Sequence, residues 1–219
     1  IKYIYMLNIK RFMCNMLQEN CYVVNDETKE CIIIDCGAFW EEEKKAIAEY
    51  ICDNELVPKH LIATHAHIDH NFGNAYIYEQ FGLKPEVHAS DEKLMNKLNW
   101  QAESIAGIHL DYEMPPVGKY LTAKDTIKFG NHIFTIIETP GHSPGCVFFY
   151  CENEHLAFSG DTLFHNSIGR TDFEGGSKFM IIQSLRIICQ LPDNTRIFPG
   201  HGEDTSIGQE LAENPYLDR

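Results

Sequence analysis

The sequence has no long apolar run, no C-x-x-C pair and no excess of basic charge, and each absence narrows what the chain can be. A bilayer span needs about 20 consecutive apolar residues, and no stretch approaches that, so no membrane partner is expected. Residues 1–12 alternate polar and apolar side chains and lack the apolar core of a signal peptide. We therefore expect a cytoplasmic protein. Met6 offers an alternative start, which would make residues 1–5 an extension. Eighteen Lys and Arg face 32 Asp and Glu, for a net charge of −14. A nucleic-acid or anionic-membrane surface wants a basic patch, so neither is expected as a partner. Bound divalent cations would offset part of the negative charge, although solubility alone accounts for it. The eight cysteines (Cys14, Cys21, Cys31, Cys36, Cys52, Cys146, Cys151 and Cys189) are scattered through apolar, strand-like or helical text. They read as reduced core thiols, not as a disulfide framework. With 219 residues, 44% of them apolar, the chain can bury a real core. No low-complexity linker interrupts it, so residues 1–219 read as a single domain.

What the sequence does have is one dense stretch, Thr64-His65-Ala66-His67-Ile68-Asp69-His70. Four of its side chains, His65, His67, Asp69 and His70, can ligate a divalent metal. An apolar strand precedes it (His60-Leu61-Ile62-Ala63) and a turn into a helix follows it (Asn71-Phe72-Gly73). Strand and helix fix the backbone on both sides, and the loop lets neighbouring side chains converge. On a regular strand His65, His67 and Asp69 would share one face and His70 the other. A loop can aim the two pairs at adjacent points, so two metals are possible. The plain alternative is a solvated polar loop.

Around this stretch, strands are expected at residues 7–12, 21–25, 30–35, 60–63 and 86–89. An amphipathic helix over 41–54 presents Ala46, Ile47, Tyr50 and Ile51 on one face and acids in its first turn. Helices are also expected over 74–81 and over 91–100, the latter with Ser90 as N-cap. Residues 101–120, with Gly107, Pro115, Pro116 and Gly118, read as a loop excursion of the kind that can cover a site. The second half predicts strands at 126–129, 132–138, 146–151, 155–159 and 195–198, and helices at 177–190 and 206–213. Strands and helices alternate in each half, which suggests an α/β fold of two sheets between helix layers.

Three later turns share one pattern: an apolar strand runs into a short polar turn carrying a metal-competent residue. They are Thr139-Pro140-Gly141-His142, Ser159-Gly160-Asp161 and Pro199-Gly200-His201-Gly202. Taken singly, each is most simply a turn residue. Together with the first motif they complete a set. His65, His67 and His142 supply three nitrogens to one metal. Asp69, His70 and His201 supply a second, and Asp161 can bridge both. Five histidines, two aspartates and no cysteine suit Zn²⁺, two per chain, with Fe or Mn²⁺ as alternatives. Each metal keeps an open position for water, as a catalytic site requires.

These four motifs, with Leu17-Gln18-Glu19-Asn20-Cys21-Tyr22 before them, resemble those of metallo-β-lactamase-superfamily hydrolases, and most the glyoxalase II (hydroxyacylglutathione hydrolase) branch. The resemblance implies a four-layer αββα sandwich with mixed sheets, a binuclear site between them and the ligand set just given. It also implies hydrolysis of a small-molecule thioester such as S-D-lactoylglutathione. Metallo-β-lactamases commonly place a cysteine where Asp161 stands, so aspartate favours the glyoxalase-like group. Asp69 could orient the attacking hydroxide as well as bind metal. In glyoxalase II enzymes a basic residue at the place of Arg170 contacts a glutathione carboxylate; a structural pairing with Asp172 or Glu174 is the alternative. Longer relatives carry a helical C-terminal glutathione-binding domain with no counterpart here, so the chain resembles the short bacterial proteins.

The main rival is a persulfide dioxygenase of the same fold, a mononuclear iron enzyme using the equivalents of His65, His142 and Asp161. The Pro199-Gly200-His201-Gly202 turn resembles the hydrolase form and not the dioxygenase one, which favours hydrolysis. A metal-binding protein without catalysis is disfavoured by the complete ligand set, an mRNA-processing nuclease by the acidic charge, and a flavodiiron reductase by length. Nothing in the sequence assigns an oligomeric state.

Overall fold

The computed structural model describes residues 6–217, so the question of residues 1–5 as an extension lies outside the described residues. Two six-stranded sheets form its centre. The first comprises β1 (Asn8–Cys14), β2 (Glu19–Asn25), β3 (Glu30–Ile34), β4 (Val57–Ile62), β5 (Pro85–His88) and β6 (Lys119–Leu121), in that spatial order. Strands β1 to β3 are antiparallel, and β3 to β6 are parallel. The second sheet holds β7 (Thr126–Phe129), β8 (His132–Glu138), β9 (Val147–Cys151), β10 (Leu156–Gly160), β13 (Arg196–Pro199) and β14 (Thr205–Ser206). It runs β14-β13-β10-β9-β8-β7, parallel only between β10 and β13. A small ribbon of β11 (Leu163–Phe164) and β12 (Ser167–Ile168) follows β10.

The central strands β2, β3, β9 and β10 are buried on both faces because both faces are covered. Successive side chains of a strand alternate sides. Ile32 and Ile34 of β3 meet Val147 and Phe149 of β9 and Phe158 of β10 between the sheets. Cys31 and Ile33 point outward to Ile47 and Ile51 of α1 (Glu41–Asp53) and Ile77 of α2 (Asn74–Phe81). On the other side, Phe148 and Ala157 pack on Leu185 and Ile188 of α5 (Lys178–Ile188) and Ile207 of α6 (Ile207–Glu213). This is the expected αββα layering with mixed sheets. Near-continuous hydrophobic strands are its signature.

Several expected details change. Helix α1 buries Ala48 with Ile47 and Ile51, while Ala46 faces solvent. Its first-turn acid Glu43 works as a cap, accepting from the N–H groups of Phe39 and Trp40. The helix expected over 91–100 is two pieces, α3 (Glu92–Met95) and α4 (Leu98–Ala106), broken at Asn96 and Lys97. Asp91, not Ser90, precedes the first piece, and its carboxylate turns inward instead of capping. The 101–120 excursion therefore starts as helix and ends as β6. Between them Leu110 sits buried among Phe72, Val87 and Leu98, with Ile108, Tyr112, Met114 and Val117 packed on that cluster. Seven of the cysteines are buried thiols outside any disulfide, as expected; Cys52 is exposed on α1. No helix among the described residues is long and apolar enough to cross a membrane.

Candidate metal centre

The loop after β4 does not hold itself up. Its alternate backbone N–H groups are taken by buried side chains from elsewhere. Asp35, just past β3, accepts from the Thr64 N–H at 2.6 Å and the Thr64 hydroxyl at 2.7 Å. Asp91 accepts from Ala66 N–H at 2.9 Å, and Gln101 of α4 from Ile68 N–H at 3.1 Å. Gln101 also donates to Ala66 O, and Asn71 to the carbonyls of His65 and His67. Asn15, in the β1–β2 turn, donates to Asp69 O at 2.9 Å. These contacts pin the loop backbone that carries the four candidate ligands.

Asp91 also joins this loop to the next one. It accepts from the Ser143 hydroxyl at 2.7 Å and the Gly145 N–H at 2.6 Å, one residue and three residues past His142. The turn bearing His201 is held from the first sheet. Asn20 donates its side-chain N–H to Pro199 O at 3.0 Å and Gly202 O at 2.9 Å, and its backbone N–H to Gly200 O at 2.7 Å. The Tyr22 hydroxyl donates to Pro199 O at 2.7 Å. Gly200 is required here: a Cβ would sit on Asp161 Oδ1 and the His70 ring.

All seven expected ligands meet in one place. His67 Nδ1 lies 3.1 Å from His65 Nε2 and 2.8 Å from His142 Nε2. Nitrogens bound to one tetrahedral ion with bonds near 2.05 Å sit about 3.3 Å apart, so the spacing fits a shared cation. His70, Asp69 and His201 form the second group, with His201 Nε2 3.3 Å and His70 Nε2 3.7 Å from Asp69 Oδ2. Asp161 stands between the groups. Its Oδ1 faces His70 Nε2 at 3.3 Å, and its Oδ2 faces His142 Nε2 at 3.5 Å and His201 Nε2 at 3.7 Å. Two atoms aimed at this centre, His70 Nε2 and Asp161 Oδ1, are buried without a hydrogen-bond partner. A divalent cation would satisfy them.

Two outward nitrogens are engaged as metal-site histidines require: His142 Nδ1 contacts Arg170 O at 2.8 Å and His201 Nδ1 contacts Leu17 O at 3.1 Å. His70 Nδ1 lies 3.1 Å from Asp35 Oδ2 without hydrogen-bond geometry. Electrostatics divide the two groups. Burial, helped by neighbouring His70, holds His65 well below the usual imidazole range. Burial and His142 push His67 down to about 4. Those rings are neutral at pH 7, with lone pairs free. For His70 burial also pulls downward, but Asp161, Asp69 and Asp35 outweigh it and raise the ring well above its ordinary value. Asp161 is correspondingly held well below the carboxylate range, burial being outweighed by His70. The second group therefore pairs charge internally until a cation replaces the proton.

Sequence reasoning missed the supports: Asp35, Asp91, Gln101, Asn15 and Asn20. It also gave no role to Glu19, which is fully buried 3.9 Å from His70 with neither carboxylate oxygen hydrogen-bonded. Burial pushes the Glu19 carboxyl well above its ordinary range, with His70 opposing. A charged residue followed by Asn-Cys-Tyr in a buried strand was the available signal. Arg170 lies at the rim, bidentate to Asp172 at 2.7 Å through Nε and Nη2 and stacked 4.1 Å over the Phe173 ring. The structural pairing is thus the one the structure contains.

An αββα sandwich with histidine-rich loops at one edge defines a class, and residues 14–201 match the sequence model of the Metallo-beta-lactamase superfamily. The chain belongs to that superfamily. Among its relatives it is similar to hydroxyacylglutathione hydrolase GloC of Haemophilus influenzae, 33% identical over 216 residues, spanning 96% of this chain and 98% of that one. Among solved structures it is similar to TTHA1623 in a di-iron-bound form (TM-score 0.83, 33% identity, 95% and 100% covered). It is also similar to the BLEG-1 B3 metallo-beta-lactamase (TM-score 0.82, 32% identity, 97% and 99% covered).

Proposed function

We propose that the protein is a binuclear metallohydrolase of the glyoxalase II-like type, acting on S-D-lactoylglutathione or a related thioester. The observation that carries this reading is Asp161, whose two oxygens face both triads at once. His65, His67 and His142 would hold one zinc ion, and Asp69, His70 and His201 the other. The bound ions would supply an acidified water and a Lewis acid for the carbonyl.

The chain's own residues do the rest. Asp35, Asp91 and Gln101 fix the loop, so the ligands need no reorganisation when substrate arrives. Asp69 is only slightly exposed and reaches the pocket floor, where its free edge can orient the attacking oxygen. A thioester releases a thiolate, and a thiol pKa near 8.5 means the leaving group needs little acid assistance. The 33% identity to a protein named hydroxyacylglutathione hydrolase supports the thioester class.

The test compares zinc-reconstituted protein on two substrates and the iron form on a third. Release of free thiol from S-D-lactoylglutathione at a rate proportional to enzyme is the expected result. Cleavage of a chromogenic cephalosporin without thioester turnover would replace this reading with the lactamase one that the BLEG-1 likeness raises. Oxygen uptake with glutathione persulfide by the iron form, with no thioester turnover, would replace it with the mononuclear dioxygenase.

A further inference from the structure

The cavity above the ligands holds about 390 Å³ and is closed mainly by hydrocarbon. Met16 and Leu17 project from the β1–β2 turn, Ile105 from α4 and Phe173 from the segment after β12, with Ile68 and Phe72 behind them. Met16, Leu17 and Ile105 are 43%, 52% and 47% exposed and cluster around this one opening. The polar groups on the wall are few, and they are committed. Gln101 uses its amide on Ile68 N–H, Ala66 O and Leu94 O.

Charge at the mouth is matched in the same way. Apart from histidines, Arg170 is the one cationic side chain among the described residues lining the cavity. Its guanidinium is bidentate to Asp172 and rests on Phe173, so the pair offers an anion no net charge. A substrate carboxylate binding there would displace Asp172 or sit beside it, like charge against like. Lys97 nearby is likewise held by Glu174 through both carboxylate oxygens, at 2.7 and 2.9 Å. A glutathione conjugate carries two carboxylates many bonds from its thioester carbonyl. Neither would find an unpaired cation among the described residues lining the cavity.

We propose that the substrate is an uncharged thioester with a hydrocarbon substituent, and that a glutathione conjugate is the poorer substrate. This rests on the thioesterase reading above. Hydrolysis breaks the C–S bond, forms a C–O bond to the oxygen of water, and releases a carboxylic acid and a thiol, so no further reactant is needed. Met16, Leu17, Ile105 and Phe173 hold the hydrocarbon, and the carbonyl lies over Asp69 and Asp161.

Two matched substrate series on the zinc-reconstituted protein test this. In one, acetyl, butanoyl and hexanoyl groups are carried by a single neutral thiol, N-acetylcysteamine; in the other, the same acyl groups are carried by glutathione. Each buried methylene is worth about a fourfold gain in kcat/KM, so the neutral series should rise steeply with length. It should exceed the matched glutathione series by at least about tenfold. Leu17→Asp and Ile105→Asp, both at exposed positions, should raise KM for the hexanoyl substrate and leave metal content unchanged. Asp172→Asn frees Arg170 and should narrow the gap by improving the glutathione series. Flat dependence on length, or a preference for glutathione with wild-type protein, overturns the proposal. Absence of turnover on every thioester overturns the thioesterase reading, and this proposal with it.

Discussion

Replacing Asp91 by asparagine exchanges one oxygen for an NH₂ group at a fully buried position, and the structure sets the consequence. Asp91 Oδ2 accepts from Ala66 N–H and from the Ser143 hydroxyl, and Oδ1 from Gly145 N–H. Asparagine keeps one oxygen, which can serve Ala66 and Ser143, but its amide then meets the Gly145 N–H donor to donor. The loss is one charge-assisted hydrogen bond together with a buried N–H lacking an acceptor, about 3 kcal/mol. For a chain of this size each kcal/mol moves Tm by roughly 2–4 °C, so metal-free Asp91→Asn should melt about 6–12 °C below wild type by calorimetry. Ala66 sits between His65 and His67, and Ser143 follows His142, so the same change loosens the three-histidine group. Its metal affinity should fall by about 10- to 100-fold, read by competition with a chromogenic chelator. A variant that melts within about 1 °C of wild type and holds metal equally well would refute the claim that Asp91 ties the two ligand loops together.

Asn20→Ala removes both side-chain donors to the His201 turn, and we expect the second metal to bind at least about tenfold more weakly while the first is unchanged, by calorimetric titration. His67→Ala should abolish turnover and most metal binding; retained turnover with unchanged metal content would remove the site assignment. His60 pairs with Glu86 at 2.5 Å, and that hydrogen bond, opposed by burial, raises the imidazole pKa. A group raised on folding stabilises the protein below its unfolded value, near 6.5, and that stabilisation is lost as pH rises through the folded value. His60→Gln should therefore lower Tm by roughly 1–3 °C at pH 5.5 and by less at pH 8.5.

The candidate ligands were legible because each sits where an apolar run meets a turn, a local pattern. His65, His67, Asp69 and His70 share a single loop, and His142, Asp161 and His201 each follow a strand with Pro or Gly beside them. The layered fold was legible from the same runs, since strands apolar on both faces need cover on both. The supports were not, because their partners are distant in sequence: Asp91 serves residues 66, 143 and 145, and Asn20 serves residues 199 and 202. Read locally, Asp91 was part of a helix start. The break at Asn96 and Lys97 carries no Pro or Gly, so propensity alone ran one helix through it. Arg170 shows the same limit: its role depends on which acid it meets, and Asp172 two residues on was as available to it as a substrate.

The central claim is that seven side chains form two metal sites sharing Asp161. Metal equivalents per chain, measured by mass spectrometry after zinc loading and exhaustive dialysis, test it most directly when wild type is compared with His201→Ala. The account predicts two equivalents for wild type and one for the variant. A single equivalent in wild type, unchanged by His201→Ala, would contradict it.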